Sequence, residues 1–441
     1  MTIPMIFGML GMIAFNLVDT FFVGKIGTNE LAALSFTFPI VMTIVSIALG
    51  LGIGASAVIS GAIGKGDHHK VQRLTTDSLI LAFVVVTAFV TAGLLTIDTL
   101  FSALGAKPEM IPLIKQYMTI WYIGMPFVVV PMVGNNAIRA TGDTKTPSMI
   151  MLVAVTVNFI MDPLLIFGIG PFPKLGLQGA AIATVMARAI TFTVAFYILS
   201  VREKMISFAL PKFKEVLQSW KAVLHIGIPE AGSRIIVPIS IGIITRILSG
   251  FGAAAVAGFG VASRIEFFSL SVVYALCSAF GPFTGQNLGA GKFHRVKEGV
   301  KVAEKIALFW GLFIFLLLVS FSAPIATIFN KDPEVIIVIR MYLLIVPISF
   351  IFQGFVLITR TALNIMRRPF IAVGLIVTQM LILYIPLAFL GAKLFEVKGV
   401  FSATVTAYIV AGTLSLYVLN RVLKKMENSI RVEEKVVEGE R

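Results

Sequence analysis

Apolar residues in this chain neither alternate with polar ones nor recur as an amphipathic stripe. They come in blocks of about 20, parted by short polar stretches. Blocks of that length match the apolar thickness of a bilayer when they are helical. Without the alternation of an outer-membrane barrel, the helix is the one element that can satisfy its own backbone in lipid. The pattern predicts about twelve spans, near 1–24, 32–62, 76–104, 110–137, 148–168, 178–200, 223–249, 254–286, 300–328, 334–361, 369–392 and 397–420. The expected fold class is an all-α polytopic membrane protein, in keeping with 58% hydrophobic and 13% charged residues.

The chain also repeats itself. Gly64-Lys-Gly-Asp-His-His-Lys-Val71 matches Gly289-Ala-Gly-Lys-Phe-His-Arg-Val296, an offset of 225 (289 minus 64). Lys107-Pro-Glu-Met-Ile-Pro-Leu-Ile-Lys115-Gln-Tyr117 matches Asp332-Pro-Glu-Val-Ile-Ile-Val-Ile-Arg340-Met-Tyr342 at the same offset. Two segments sharing one offset predict two homologous six-span halves in parallel, not inverted, orientation. The expected division is an N-terminal lobe over 1–200, a cytoplasmic linker over 201–222, a C-terminal lobe over 223–421, and a charged cytoplasmic tail over 422–441, disordered from Glu427 onward. Two such bundles bind substrate near mid-membrane and rock about that site.

A formal net charge of +14 raises nucleic acid as a partner, but the placement of the charges argues otherwise. Of 36 Lys and Arg, 24 fall in the loops and adjoining span ends of one side and 8 in those of the other, leaving Arg188, Arg234, Arg246 and Arg264 deeper within spans. By the positive-inside rule the richer side, with both termini, is cytoplasmic. The lone Cys277 excludes an intramolecular disulfide and a multi-Cys metal site.

Against this background an acid inside a span stands out, because a charge there costs roughly 3 kcal/mol on insertion scales. Asp19 interrupts the first block, and Asn158 and Asp162 form an i, i+4 pair on one face of the fifth. If both spans run outward, Asp19 and Asp162 lie roughly 8 to 9 Å short of their outer ends, at one depth. Two acids close together in low dielectric require a proton or a counter-cation, so H⁺ or Na⁺ is the expected ligand, with at least one carboxyl titrating near physiological pH. Polar neighbours on offer are Asn16, Tyr117, Asn135 and Thr184. In the second half, Glu230 and Arg234 are spaced for an intrahelical ion pair, with Arg246 in the same span and Arg264 and Glu266 in the next. His68, His69, His225 and His294 show no metal-ligand spacing. Prolines recur inside spans, and Pro4 is placed to bend the helix that carries Asp19. Eighteen methionines, among them Met5, Met12, Met42 and Met151, suit a cavity that accepts ligands of varied shape.

The stretch from Asn16 to Leu34 (NLVDTFFVGKIGTNELAAL), the run Gly285-Gln-Asn-Leu-Gly-Ala-Gly-Lys292 and the run Arg139-Ala-Thr-Gly-Asp-Thr-Lys-Thr-Pro147 resemble the multidrug and toxic compound extrusion (MATE) transporters. The resemblance covers nearly the whole chain, and Asp19 with Asn158 and Asp162 is similar to the prokaryotic DinF-type branch. It implies twelve transmembrane helices in two pseudo-symmetric six-helix bundles and cation-driven antiport of lipophilic, often cationic small molecules out of the cell. It implies a cation site at Asp19, Asn158 and Asp162 with Thr184, flanked by Tyr117 and Asn135, and a bending role for Pro4. No cofactor, a prokaryotic inner-membrane location among lipids and a monomeric state are the matching expectations. The sequence departs from the family in lacking a segment before the first helix, so a longer native N-terminus is expected, and in having no acid in the interior of the tenth span. The rival readings are a lipid or lipid-linked oligosaccharide flippase of the same superfamily and a membrane enzyme. No P-loop, zinc-type His cluster or paired nucleophile and base supports the enzyme.

Overall fold

A computed structural model of the chain describes residues 28–103, 108–209 and 212–439, together with Met5, Phe22 and Ile26. Most of the first expected span, including Pro4, Met12, Asn16 and Asp19, lies outside the described residues. Those described are almost wholly helical and contain no strand. In chain order the helices are α1 (Thr28–Gly64), α2 (His68–Ala103), α3 (Ile111–Gly124), α4 (Pro126–Ala140), α5 (Lys145–Phe167), α6 (Leu177–Tyr197) and α7 (Phe213–Ser249). They continue with α8 (Ala253–Gly289), α9 (Phe293–Ser320), α10 (Ser322–Phe329), α11 (Pro333–Ile345), α12 (Phe350–Ile365), α13 (Pro369–Val377) and α14 (Ile385–Gly439).

Local sequence explains the interruptions. Pro126 opens α4 and cannot donate to the preceding turn, so α3 and α4 form a single span bent by 42°. Asp332 caps α11 by accepting from Glu334 N at 2.9 Å, with Pro333 at the first helical position. Gly168 closes α5 in the left-handed region, at φ 73°. Non-helical angles at Phe395 and Glu396 break α14, parting the eleventh expected span from the twelfth.

The repeat read from the sequence reappears in the backbone. Helices α1 and α8 each have 37 residues, and their bounds differ by one offset, since 253 minus 28 and 289 minus 64 are both 225. The chain divides into two compact units, Met1–Ala231 and Gly232–Arg441. In the first, α1 packs on α2, α3 and α4, and α6 packs on α3, α4 and α5. In the second, α8 packs on α9, α11 and α12, and α12 on α9, α13 and α14. Large apolar side chains such as Phe83, Leu95, Phe309 and Leu316 remain exposed, which suits lipid and would be a liability in water.

Two features differ from the expected division. The boundary between units falls inside α7, and residues 213–222, expected as linker, form that helix's first turns. Phe213–Ala222 is too polar to register as a span, but it is amphipathic and packs. Trp220 Nε1 donates to Asp77 O at 2.9 Å, and Ser219 is buried. The remaining linker is strapped to the start of α2, where Gln72 Nε2 donates to Lys204 O at 2.9 Å and Ser207 N donates to Thr76 Oγ1 at 2.9 Å. The second difference is the tail. Helical backbone runs on to Gly439, where the charge pattern predicts disorder.

The Arg139–Pro147 motif acquires a physical role. Asp143 Oδ1 accepts from the main-chain N–H groups of Lys145 and Thr146, both at 3.0 Å, where the helix dipole of α5 favours a negative charge. Asp143 Oδ2 accepts from the Thr146 hydroxyl and, at 2.6 Å, from Arg202 Nη2 on the π-helical turn Ile198–Arg202 that prolongs α6. One carboxylate thus ties the start of α5 to the end of α6. Burial pushes its pKa up, but the Thr146 and Arg202 donors outweigh this and hold it below the ordinary carboxylate value. The folded chain therefore binds this proton less tightly than the unfolded one. The stabilisation is complete above about pH 4 and is lost as pH falls below it. Asp143→Asn should lower stability by about 1 kcal/mol at neutral pH, and flatten the acid-side loss seen in thermal melts of the detergent-solubilised protein.

Candidate cation site in the N-terminal unit

Helix α5 carries Asn158 and Asp162 one turn apart, and the fold buries both completely. Asn158 Nδ2 donates to Asp162 Oδ1 at 3.0 Å, so the i, i+4 spacing is realised as a hydrogen bond. Pro163 follows directly and lacks a main-chain N–H, which loosens the hydrogen-bond ladder just where the acid sits.

A close backbone contact brings α6 alongside. A Cβ built on Gly179 would lie 2.4 Å from Leu165 O and 2.6 Å from the carbonyl carbon, so only glycine permits this approach. The connecting loop returns along α5, with Leu175 N donating to Leu165 O at 3.0 Å and Gly176 N to Ile166 O at 3.2 Å. The contact fixes the register. Counting inward from Leu165 and Gly179, Asp162 is roughly 4.5 Å deeper and Thr184 roughly 7.5 Å deeper, so the two share a level to within about 3 Å. Thr184 is buried.

Tyr117 is buried on α3 and Asn135 half-buried on α4, and both helices pack against α6. Met5 is buried and accepts from the Ser148 hydroxyl of α5 at 3.5 Å. Met42 on α1 and Met151 on α5 are half-buried. Asp19, Met12 and Pro4 are the expected site residues that fall outside the described ones.

Asn135 Oδ1, Asn158 Oδ1 and Thr184 Oγ1 are buried with no hydrogen-bond partner among the described residues. An orphaned oxygen in a span is costly and calls for a partner such as a water or an ion. A carboxylate with amide and hydroxyl oxygens suits a proton or a hard monovalent cation. No group of three or more His, Cys, Asp or Glu that could hold a metal occurs among the described residues.

One buried acid escaped the sequence reading. Asp77, wholly buried on α2, pairs with Arg73 one turn earlier, and Arg73 Nε lies 3.0 Å from Asp77 Oδ1. The i, i+4 Arg–Asp spacing was the available signal.

Spans of membrane length, a duplicated bundle and a buried polar site in one half define a polytopic membrane transporter. Comparison with known proteins gives the family. The MatE profile matches residues 4–164 and again 229–390, two copies that repeat the offset of 225 (229 minus 4). The chain belongs to the MatE family, that of the MATE transporters. It is 37% identical over 427 residues to the FAD transporter of Shewanella oneidensis, covering 97% of this chain and 94% of the relative. It is 28% identical over 347 residues to the probable multidrug resistance protein YoeA of Bacillus subtilis, covering 77% and 74%. The crystal structure of the Vibrio cholerae MATE transporter VcmN in the bent form superposes with a TM-score of 0.92 at 30% identity, covering 96% of this chain and 95% of that one. The fold is therefore the twelve-helix, two-bundle fold of a multi-pass membrane protein, and the chain is a transporter rather than an enzyme.

Proposed function

We propose that this chain is a secondary active antiporter that exports amphipathic, often cationic compounds in exchange for H⁺ or Na⁺, coupled at Asp19, Asn158, Asp162 and Thr184. The supporting observation is the buried Asn158–Asp162 pair, with Asn158 Oδ1 and Thr184 Oγ1 left to a ligand. A carboxylate so placed is neutralised by a proton or a bound cation, and the two states differ by a whole charge in low dielectric. A difference of that size can bias a two-state transporter. Tyr117, Asn135, Met5, Met12, Met42 and Met151 contribute to the cargo cavity in this reading, and Pro4 lets the first helix bend. The uneven loop charge supports an orientation with both termini in the cytoplasm, and a prokaryotic cell membrane is the location in this reading. The multidrug resistance names of several relatives support the class of cargo.

The test is efflux from proteoliposomes under H⁺ and Na⁺ gradients imposed separately. Transport of a lipophilic cation driven by one of them is expected. Absence of transport under both would reject the antiport reading.

A second reading of the cargo is an anionic flavin dinucleotide, favoured by the FAD transporter among the relatives. Arg188, Arg234, Arg246 and Arg264 supply positive charge within spans for such a cargo. Loading the same vesicles with FAD distinguishes the readings. Export of FAD with none of the lipophilic cation would select the second.

A further inference from the structure

The linker strap over 203–209 and the first turns of α7 carry large apolar side chains that stay uncovered among the described residues. Phe208 and Phe213 are each 82% exposed, and Leu217 is 55% exposed. Two hydrogen bonds set their depth. Ser207 N donates to Thr76 Oγ1 and Trp220 Nε1 to Asp77 O, which brings the strap and the first turns of α7 roughly level with residues 76 and 77 of α2. The lipid-facing side of α2 begins just beyond, with Ile80 and Phe83 exposed, and Ile80 is roughly 6 Å past Thr76 along the helix. Leu217, three residues before Trp220, lies roughly 4.5 Å further out. The polar layer on each side of a bilayer is about 5 to 7 Å thick, so these side chains stand at headgroup depth.

Helical spacing gives the segment two sides. Ser219 and Val223 are buried on one, whereas Phe213, Leu217 and Lys221 recur every fourth residue on the other. Ile228, 63% exposed, continues that stripe into the span, so the exposed side of the segment runs on into the side that faces lipid. The free charge here is of one sign. Glu203 Oε1 lies 3.2 Å from Arg202 Nε, and Glu215 acts on Arg73, so both acids of the segment already face arginines. Lys212, Lys214 and Lys221 are exposed and belong to no ion pair among the described residues. A soluble protein or a nucleic acid would meet the headgroups before it met Phe208 or Leu217. The membrane itself is the occupant that fits.

We propose that this segment is an interfacial lipid site, in which Phe208, Phe213 and Leu217 enter the headgroup layer while Lys212, Lys214 and Lys221 bind the phosphates of anionic phospholipids. The strap is then held from two sides, by α2 and by lipid. The site stands whichever cargo the chain carries.

Native mass spectrometry of the full chain in detergent, with phosphatidylglycerol and phosphatidylcholine added in turn, reads the binding. Phosphatidylglycerol should be retained in preference. Combining Lys212→Gln, Lys214→Gln and Lys221→Gln should lower its affinity by about tenfold or more, since each lysine near an anionic surface contributes about fivefold. Lys292→Gln, Lys301→Gln and Lys305→Gln, at exposed lysines of the other unit, make the same change in net charge and should cost little. An environment-sensitive label on Leu217→Cys, in a Cys277→Ala background, reports from the site itself in nanodiscs. Its emission should shift to the blue when phosphatidylglycerol replaces phosphatidylcholine, and the first triple change should abolish that shift. Equal affinity for the two lipids, an equal loss in the control triple, label emission indifferent to the lipid, or displacement of phosphatidylglycerol by inorganic phosphate at constant ionic strength would each overturn the proposal.

Discussion

Asp162→Asn is expected to reduce gradient-driven efflux to the level of protein-free vesicles while leaving the protein folded and inserted. An asparagine keeps the shape and one carbonyl oxygen, so Asn158 Nδ2 retains an acceptor at the place where it now donates over 3.0 Å. What disappears is the charge and its titration. A transporter coupled at this site loses the difference between its ion-loaded and empty states, and with it the means by which a gradient shifts the conformational equilibrium. Asn158→Leu behaves differently. It removes the donor to a buried carboxylate, which costs roughly 1–3 kcal/mol, so both stability and transport should fall. Efflux by Asp162→Asn equal to wild type, at equal protein per vesicle, would assign coupling to other residues.

Gly179→Val should be the more damaging change to the fold. Its Cβ would meet the Leu165 carbonyl at 2.4 Å, and backbone cannot swing aside as a flexible side chain can. Helix α6 must back away from α5, losing contacts along the pair and moving Thr184 from the level of Asp162. Overpacking of this kind costs about 1–3 kcal/mol, and more where backbone is the obstacle. A lower melting temperature in detergent should therefore accompany weaker transport. Gly242→Ala is the matched control, since nothing lies within 4 Å of the built Cβ. There the gain in helix propensity should raise stability by up to about 1 kcal/mol. Equal melting temperatures for the two variants would mean that the α5–α6 approach is not a tight one.

The sequence made some of these features legible and hid others for physical reasons. Bilayer-length blocks and a constant offset are properties of one dimension, and helices α1 and α8 reproduce them residue for residue. The Asn158–Asp162 hydrogen bond was also legible, because i, i+4 geometry is a property of one helix. Glu266 was visible only as a charge, since its donors Tyr342 and Tyr408 lie 76 and 142 residues away and only the fold brings them near. The same holds for the first turns of α7. Phe213–Ala222 is polar enough to predict a linker, yet it is helical because Trp220 and Ser219 have a surface to pack on. The level shared by Asp162 and Thr184 depends on Gly179, whose role could not be known before its opposite backbone was.

Tyr117 and Tyr342 bear on how such a molecule can change. Duplication copied a frame and a phenol at the same register, and in the second copy that phenol, Tyr342, donates to an acid, Glu266 on α8. The other copy has Val41 at the corresponding place, on a helix that packs against the one bearing Tyr117. A doubled scaffold of this kind holds spare addresses. New chemistry can be installed in one half by a single substitution while the other half goes on performing the original task.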